Sequence, residues 1–437
     1  MATHLHRLLP LLLFLPSLLF RHSTSPQHTQ HAATDAGDDD PAADLDPVVL
    51  LPGNTCSQLE ARLTDAYQPP SPQCGAEKGT GRWFLLWKNA TAMQDPGAAA
   101  CVADQLRLVY DPAARDFRNL PGVETRVVGF GSTRGFLADT PADRDLCMGA
   151  LVDALERAGY RDGATLFGAP YDFRQAPAAR SQPCRAFSRF TRQFKALVES
   201  ASSGNGGKPV VVVSHSQGGY FALEFLNRSP PAWRRRYVKR YIMASTGPGG
   251  FLLSVQTLAA DPSTAVSIPS LFMALPSPKV FGPETPMVVT RARNYSAHDV
   301  PAFLAALGLP PLAATLYETR ALPVKLGFRA PLVPTTCVNG VGVPTMEQLV
   351  YWDGNFSETP GVVYSGGDDG GDGLLALASI LALDTVVGDD PRQEEYKSIK
   401  LAGTSHAGVV SDGHALERVV GEIMRVHTEL ESQSPAA

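Results

Sequence analysis

The chain has 437 residues, 44% hydrophobic and 19% charged, so it can bury a large core and does not have the composition of a disordered protein. Its net charge of -5 provides no broad basic field, which leaves a nucleic-acid partner without electrostatic support. Any attraction to a membrane would have to come from local apolar surface.

The N-terminus has the layout of a cleavable secretory signal. Arg7 precedes an apolar run from Leu8 to Phe20, and small and polar residues follow. The run contains two prolines and is too short to span a bilayer comfortably, although an uncleaved anchor is the alternative interpretation. We therefore expect a signal peptide over residues 1–24, a disordered lead-in over 25–46 and one folded domain over 47–430.

Three N-glycosylation sequons fit a chain that enters the secretory pathway, and they begin at Asn89, Asn294 and Asn355. Six cysteines are present, and some should pair in an oxidising lumen, although sequence alone does not fix their connectivity. The expected location is extracellular or the lumen of an endomembrane compartment such as the vacuole.

Short β-branched runs alternate with amphipathic stretches along the folded part. The runs Val48–Leu51, Ala164–Gly168 and Pro209–Val213 predict strands. The stretches Cys147–Ala158 and Phe187–Ala201 predict helices. This alternation indicates βαβ units and a mostly parallel sheet with helices on both faces.

The third of these strands runs directly into Ser214-His215-Ser216-Gln217-Gly218, and an amphipathic stretch follows. A strand, a Ser-x-Ser-x-Gly turn and a helix, in this order, are typical of the nucleophile elbow of the α/β-hydrolase fold. Ser216 is the candidate nucleophile, and the backbone N–H of Gln217 is the candidate oxyanion donor. Ser214 stands where glycine is commoner, and His215 is interpreted as a packed neighbour.

The alternation breaks between about residues 251 and 326, where the chain is rich in proline and irregular. We interpret this segment as a cap inserted over the sheet. A long excursion of core helices is the alternative.

In this fold the catalytic acid follows the nucleophile in the chain, and the histidine follows the acid. Val362-Val363-Tyr364 predicts a late strand leading into a loop rich in Asp and Gly, in which Asp372 is the preferred acid and Asp369 the runner-up. The loop lacks the closing glutamate and the ligand spacing of a calcium loop, so we expect neither a metal nor a cofactor.

A final strand is predicted at Ser398–Leu401, and His406 lies on the loop after it. His414 is a weaker rival for the catalytic base. In the mechanism that this order implies, His406 takes the proton of Ser216 and Asp372 holds the correct imidazole tautomer.

Several blocks resemble the lecithin:cholesterol acyltransferase family over nearly the whole folded chain. Leu51–Leu63, which reads Leu-Pro-Gly-Asn-Thr-Cys-Ser-Gln-Leu-Glu-Ala-Arg-Leu, is similar to that family's opening strand and oxyanion loop. Arg126–Gly131, Ala169–Arg174 and Gly340–Thr345 are similar blocks in the family's order. Three further residues fall on its catalytic motifs: Ser216, Asp372 and His406.

By this resemblance, the backbone N–H of Thr55 would be the second oxyanion donor, and Cys74 and Cys101 would form the disulfide that closes a lipid-contacting loop. Aromatic residues in that loop would bind substrate, with Trp87 at the position that lines the acyl site. As bare sequence, such an apolar cluster is more often buried core. The aromatic residues are Trp83, Phe84 and Trp87.

The chain also departs from the family's pattern. Leu374-Leu375 follows the acid where the family usually has Thr-Val, and Gly247–Gly250 lacks the usual aromatic residue. Cys337 fits half of a second family disulfide, but no cysteine follows Asp372 to complete it. The pairing of the remaining cysteines stays open: Cys56, Cys147, Cys184 and Cys337.

The resemblance implies that Ser216 attacks an acyl ester of a glycerophospholipid at a membrane or lipoprotein-like interface and passes the acyl group to a sterol or other lipid alcohol. Transfer to water, as in a phospholipase A, is the first alternative. A small-ester carboxylesterase is a second. An inactive lipid-binding protein is a third, supported only by the altered acid loop. The sequence identifies no activating protein partner.

Overall fold

The computed structural model describes residues 45–137 and 140–428. The expected signal peptide, nearly all of the lead-in and the last residues of the expected domain lie outside the described residues. In chain order the strands are β1 (Val48–Leu51), β2 (Leu59–Leu63), β3 (Phe84–Trp87), β4 (Leu108–Asp111), β5 (Asp116–Asn119), β6 (Val123–Val127), β7 (Leu166–Gly168), β8 (Val210–His215), β9 (Val238–Ala244), β10 (Val288–Val289), β11 (Asn294–Tyr295), β12 (Thr335–Val341), β13 (Met346–Val350), β14 (Gly361–Tyr364) and β15 (Tyr396–Ala402).

The α-helices alternate with the strands in the N-terminal half and cluster in the region after β9. They are α1 (Ala90–Gln94), α2 (Pro96–Gln105), α3 (Pro141–Leu146), α4 (Gly149–Arg157), α5 (Arg185–Gly204), α6 (Gln217–Arg228), α7 (Pro231–Tyr237), α8 (Leu253–Ala260), α9 (Ser270–Ala274), α10 (Val300–Ala306), α11 (Pro311–Leu316), α12 (Leu322–Leu326), α13 (Leu377–Leu383) and α14 (Gly413–Thr428). None of the helices in the described ranges is long and apolar enough to cross a membrane.

Six strands of the described chain form the central sheet, in the order β15-β12-β9-β8-β1-β7. Every neighbouring pair is parallel. The predicted α/β-hydrolase fold class is therefore confirmed, and the predicted strand Val48–Leu51 has the predicted bounds.

Both faces of this sheet are covered, which explains why its central strands are continuously apolar. Along β8, Val210 and Val212 pack into one core and Val211 and Val213 into the other. Helices α5 and α6 contribute to the first core, while α4 and α14 contribute to the second. The two cores hold the carboxyl ends of the strands in register, and loops at those ends are where α/β folds place ligands.

The strand predicted at Val362–Tyr364 forms as β14, but it lies outside the central sheet. It pairs antiparallel with β13 in a smaller sheet of order β11-β10-β13-β14. The predicted strand and the loop after it therefore form, but the strand belongs to a different sheet from the one that carries Ser216. The chain instead leaves the central sheet after β12 and returns through bridges from Val343 to Gly371 and Asp372.

The segment that we interpret as a cap, residues 251–326, contains α8 to α12 together with β10 and β11. Its two strands join the smaller sheet through pairing of β10 with β13. Other small sheets have the orders β3-β2-β6 and β4-β5.

Candidate active site

Ser216 occupies a sharp turn between β8 and α6. Its backbone has φ 52° and ψ -123°, a conformation that L residues rarely adopt and that strained functional turns preserve. A Cβ on Gly218 would lie 2.5 Å from the carbonyl oxygen of Pro52, so only glycine allows the elbow to approach the loop after β1. Ser214, the departure from glycine, is buried and its Oγ lies 2.9 Å from the hydroxyl of Tyr241. Its polar atom is therefore partnered.

His406 connects the nucleophile and the acid. Its Nε2 lies 2.9 Å from Ser216 Oγ, and its Nδ1 lies 2.8 Å from Asp372 Oδ2. The three side chains come from loops after β8, β15 and the excursion that follows β12. The described geometry is that of a nucleophile, a base and an acid that orients the base.

The carboxylate of Asp372 is fully buried and held by backbone groups. Its Oδ1 accepts hydrogen bonds from the N–H groups of Leu374, at 3.0 Å, and Leu375, at 2.7 Å. Because the backbone makes these contacts, the leucine side chains at the two positions do not disturb them. The altered acid loop therefore gives no support to the inactive lipid-binding alternative.

The rival residues named from the sequence lie apart from this chain of hydrogen bonds. Asp369 is exposed in a short 3-10 turn, and His414 is exposed at the start of α14. His215 is buried, and its Nε2–H donates to the carbonyl oxygen of His406 at 3.1 Å. Burial, followed by the nearby His406, lowers the pKa of His215 to about 3, so its ring is neutral. His215 therefore supports the loop that carries the base.

The backbone N–H groups of Gln217 and Thr55 are the two that the sequence assigns to an oxyanion hole. Gln217 is the first residue of α6, where the N–H points away from the helix and the helix dipole favours negative charge. Thr55 lies in the loop after β1 with φ 63°. Among the hydrogen bonds of the described residues, neither N–H has an acceptor. Both N–H groups are therefore free to donate a hydrogen bond to an acceptor.

A pocket with a partly apolar lining lies beside Ser216. Among the described residues that line it, none is charged, and the apolar ones come from the cap segment, α6 and the acid loop. The apolar side chains of the lining are Tyr220, Phe251, Met273, Ala274 and Leu375. This lining suits an apolar group such as an acyl chain.

The aromatic residues assigned to substrate binding lie elsewhere. Within the described part of the chain, Trp83, Phe84 and Trp87 are all absent from the lining of the cavity beside Ser216. Trp87 is fully buried at the end of β3, and Phe84 is partly buried at its start. Trp83 contacts two guanidinium groups, since its ring centroid lies 5.0 Å from Cζ of Arg62 and 4.4 Å from Cζ of Arg126.

Two disulfides are formed within the described residues. One joins Cys74 and Cys101, as the resemblance implies, and encloses β3. The other joins Cys56 and Cys147, a pair that the sequence left open, while Cys184 and Cys337 are free and buried. Disulfides of this kind fit a protein of the secretory pathway.

Two of the three sequon asparagines are exposed on the folded chain, namely Asn294 and Asn355. Asn89 instead caps α1, since its side chain accepts a hydrogen bond from the N–H of Ala92. No cluster of three or more metal-ligating side chains occurs within residues 45–137 and 140–428.

The family model and the similar sequences found among known proteins agree on one family. The model of the lecithin:cholesterol acyltransferase family matches residues 83–267. The lecithin-cholesterol acyltransferase-like 1 protein of Oryza sativa subsp. japonica is 41% identical over 402 residues, covering 89% of this chain and 88% of that protein. The lysosomal phospholipase A and acyltransferase of Rattus norvegicus is 30% identical over 393 residues, covering 86% and 90%.

A solved structure, that of the Tle4-Tli4 complex, covers 88% of this chain and 99% of its own chain with a TM-score of 0.51. At 12% identity this likeness shows the fold alone. The sequence relatives extend over nearly the whole folded chain, and this protein belongs to the lecithin:cholesterol acyltransferase family.

Proposed function

We propose that the protein is a serine-dependent lipid acyltransferase that forms an acyl-enzyme on Ser216. His406 removes the proton of Ser216 as its Oγ attacks the ester carbonyl, and Asp372 stabilises the imidazolium that results. The N–H groups of Thr55 and Gln217 donate to the oxyanion of the tetrahedral intermediate. His406 then returns its proton to the leaving alcohol.

The observation that carries this proposal is the unbroken chain of contacts from Asp372 through His406 to Ser216, which borders an apolar cavity. An orienting acid, a base and a nucleophile within hydrogen-bond distance suit acyl transfer. The uncharged lining favours an acyl chain inside the cavity and leaves a phosphate-bearing headgroup at its mouth.

The donor that we propose is a glycerophospholipid, and the acceptor is a sterol or another lipid alcohol. The rat relative's name includes both phospholipase A and acyltransferase, which supports an acyl-enzyme that either an alcohol or water can resolve. Hydrolysis is therefore the second candidate activity. The two outcomes differ in how well bound acceptor excludes water from the acyl-enzyme.

We further propose that the loop closed by Cys74 and Cys101 contacts the lipid surface. Trp83 lies within this loop, and its ring contacts the guanidinium groups of Arg62 and Arg126, which are paired with Glu124 and Glu60. An aromatic ring with an apolar body and a polar edge suits a membrane interface. A secretory signal at residues 1–24 would direct the enzyme out of the cell or into an endomembrane lumen such as the vacuole.

The experiment that tests the proposal uses vesicles of phosphatidylcholine labelled in an acyl chain, with and without a sterol. Wild-type enzyme is expected to form labelled acyl ester when sterol is present, and Ser216→Ala is expected to form no product. Labelled free fatty acid as the only product under both conditions would replace the transferase with a phospholipase A. Turnover by Ser216→Ala would reject the serine mechanism.

A further inference from the structure

Within the described residues the side chain of Trp87 makes one polar contact, and it is directed at the loop that carries Thr55. Its indole Nε1–H donates to the carbonyl oxygen of Thr55 at 2.6 Å. The ring is fully buried and packs against Phe173, with centroids 5.4 Å apart. In the described structure this ring lies outside the lining of the cavity beside Ser216.

Thr55 needs such support because its backbone is strained. A β-branched residue at φ 63° is less stable there than in an ordinary conformation, because its side chain crowds the backbone. Strained conformations of this kind persist only where the surroundings fix them from several directions. The direction of the Thr55 N–H depends on this conformation.

The loop is fixed from three sides. Trp87 holds the Thr55 carbonyl, the disulfide to Cys147 holds the next residue, and the hydroxyl of Tyr171 donates to the carbonyl of Pro52 at 2.8 Å. The N–H of Tyr171 also donates to Ser57 Oγ at 2.9 Å. Each contact is buried, so each is made in a setting where loss of a partner is costly.

We propose that Trp87 is a positioning residue for the oxyanion hole, which it serves by holding the carbonyl group of Thr55 rather than by contacting the acyl chain. This inference rests on the proposed role of the Thr55 N–H. It differs in its consequences from the role that the family resemblance implies. A residue that lines the acyl site affects long chains selectively, whereas a residue that aims an oxyanion donor affects every ester alike.

The test is Trp87→Phe, which removes the N–H donor and keeps an aromatic ring. With p-nitrophenyl esters from butyrate to palmitate in the same detergent micelles, we expect kcat to fall about 10- to 100-fold at every chain length while KM changes by less than about 2-fold. Inactivation by diisopropyl fluorophosphate, which has no acyl chain, is expected to slow by a similar factor. Trp233→Phe is the matched control, because that indole N–H donates to Glu199 on α5 at 2.8 Å, and its kcat should equal that of wild type.

A normal kcat on butyrate with loss only on palmitate would overturn the proposal and restore an acyl-lining role. If Trp87→Phe does not fold, Tyr171→Phe tests the same loop, because the ring can remain stacked on Phe221 at 4.0 Å while the bond to Pro52 is lost. The same uniform loss of kcat is expected, and a wild-type kcat in Tyr171→Phe would overturn the premise that fixing this loop sets the direction of the Thr55 N–H. Ser216→Ala tests the proposed function separately from the role of Trp87. Continued turnover by Ser216→Ala would reject the proposed function itself.

Discussion

His406 binds Asp372 twice, once through its ring and once through its backbone. The ring Nδ1 lies 2.8 Å from Asp372 Oδ2, and the backbone N–H of His406 donates to the carbonyl oxygen of Asp372 at 2.7 Å. The second bond ties the loop after β15 to the acid loop. The position and the tautomer of the imidazole are therefore set by the same partner.

Asp372→Asn is expected to lower kcat about 10⁴-fold, since an amide can hold the wrong tautomer of the base while leaving the fold intact. Ester hydrolysis by the purified variant measures this. Asp369→Asn is the matched control, because Asp369 is exposed, and its activity should stay at the wild-type level. Loss of activity in Asp369→Asn with retention in Asp372→Asn would reverse the assignment of the acid.

Gly218→Ala is expected to lower the free energy of unfolding by about 1–3 kcal/mol, because the added Cβ meets backbone that cannot move aside. Its contacts would be 2.5 Å to the Pro52 carbonyl oxygen and 2.7 Å to that of Leu51. Denaturant unfolding measures the change. Gly421→Ala, in helix α14 with nothing within 4 Å of the new atom, should instead stabilise by about 0.5–1 kcal/mol. Equal effects at both sites would contradict the close approach at the elbow.

Acid should destabilise the protein partly through His215. Burial and His406 lower the pKa of this ring to about 3, whereas the unfolded chain binds the proton near the ordinary pKa of about 6.5. The unfolded state therefore binds more protons at intermediate pH, so this contribution is intact above pH ~6.5 and is lost as the pH falls toward 3. By pH 5 the loss amounts to about 2 kcal/mol.

His215→Gln removes this titration. Unfolding free energies at pH 7 and pH 5 should differ by about 2 kcal/mol less in His215→Gln than in wild type. Identical pH dependence in the two proteins would show that His215 takes up its proton in the folded state.

Trp83→Ser should weaken action on phosphatidylcholine vesicles about 10-fold while leaving hydrolysis of a monomeric short-chain ester unchanged, because it removes an interfacial ring and no part of the cavity. Trp352→Ser is the control, because that ring is 58% exposed on the turn between β13 and β14. In a vesicle sedimentation assay, Trp83→Ser should likewise bind vesicles more weakly than wild type and Trp352→Ser do. Equal loss in both variants would assign lipid contact to aromatic exposure in general and not to the loop closed by Cys74 and Cys101.

The features predicted from the sequence are those encoded locally. The valine strand, the turn at Ser216 and the helix after it lie within about twenty residues, and His406 directly follows its strand. The sequence predicts β14 and the loop that leads to Asp372, but not the sheet that β14 joins, because pairing of β14 with β13 depends on long-range register. Periodicity does not report which sheet a short strand joins.

Other features depend on contacts between distant residues. The disulfide from Cys56 to Cys147 spans 91 residues, and nothing in the spacing of the cysteines favours that pair. The bond from Trp87 to Thr55 crosses from β3 to the loop after β1. A tryptophan within an apolar run predicts burial or lipid contact, but it does not identify the carbonyl group that its N–H binds.

The central claim is that Ser216 carries the acyl group during turnover. Wild-type enzyme incubated with labelled phosphatidylcholine, quenched in acid and digested, should give a peptide containing Ser216 with the labelled acyl group attached, as measured by mass spectrometry. Steady turnover in which the label is found on no peptide, or on a peptide that lacks Ser216, would contradict the account.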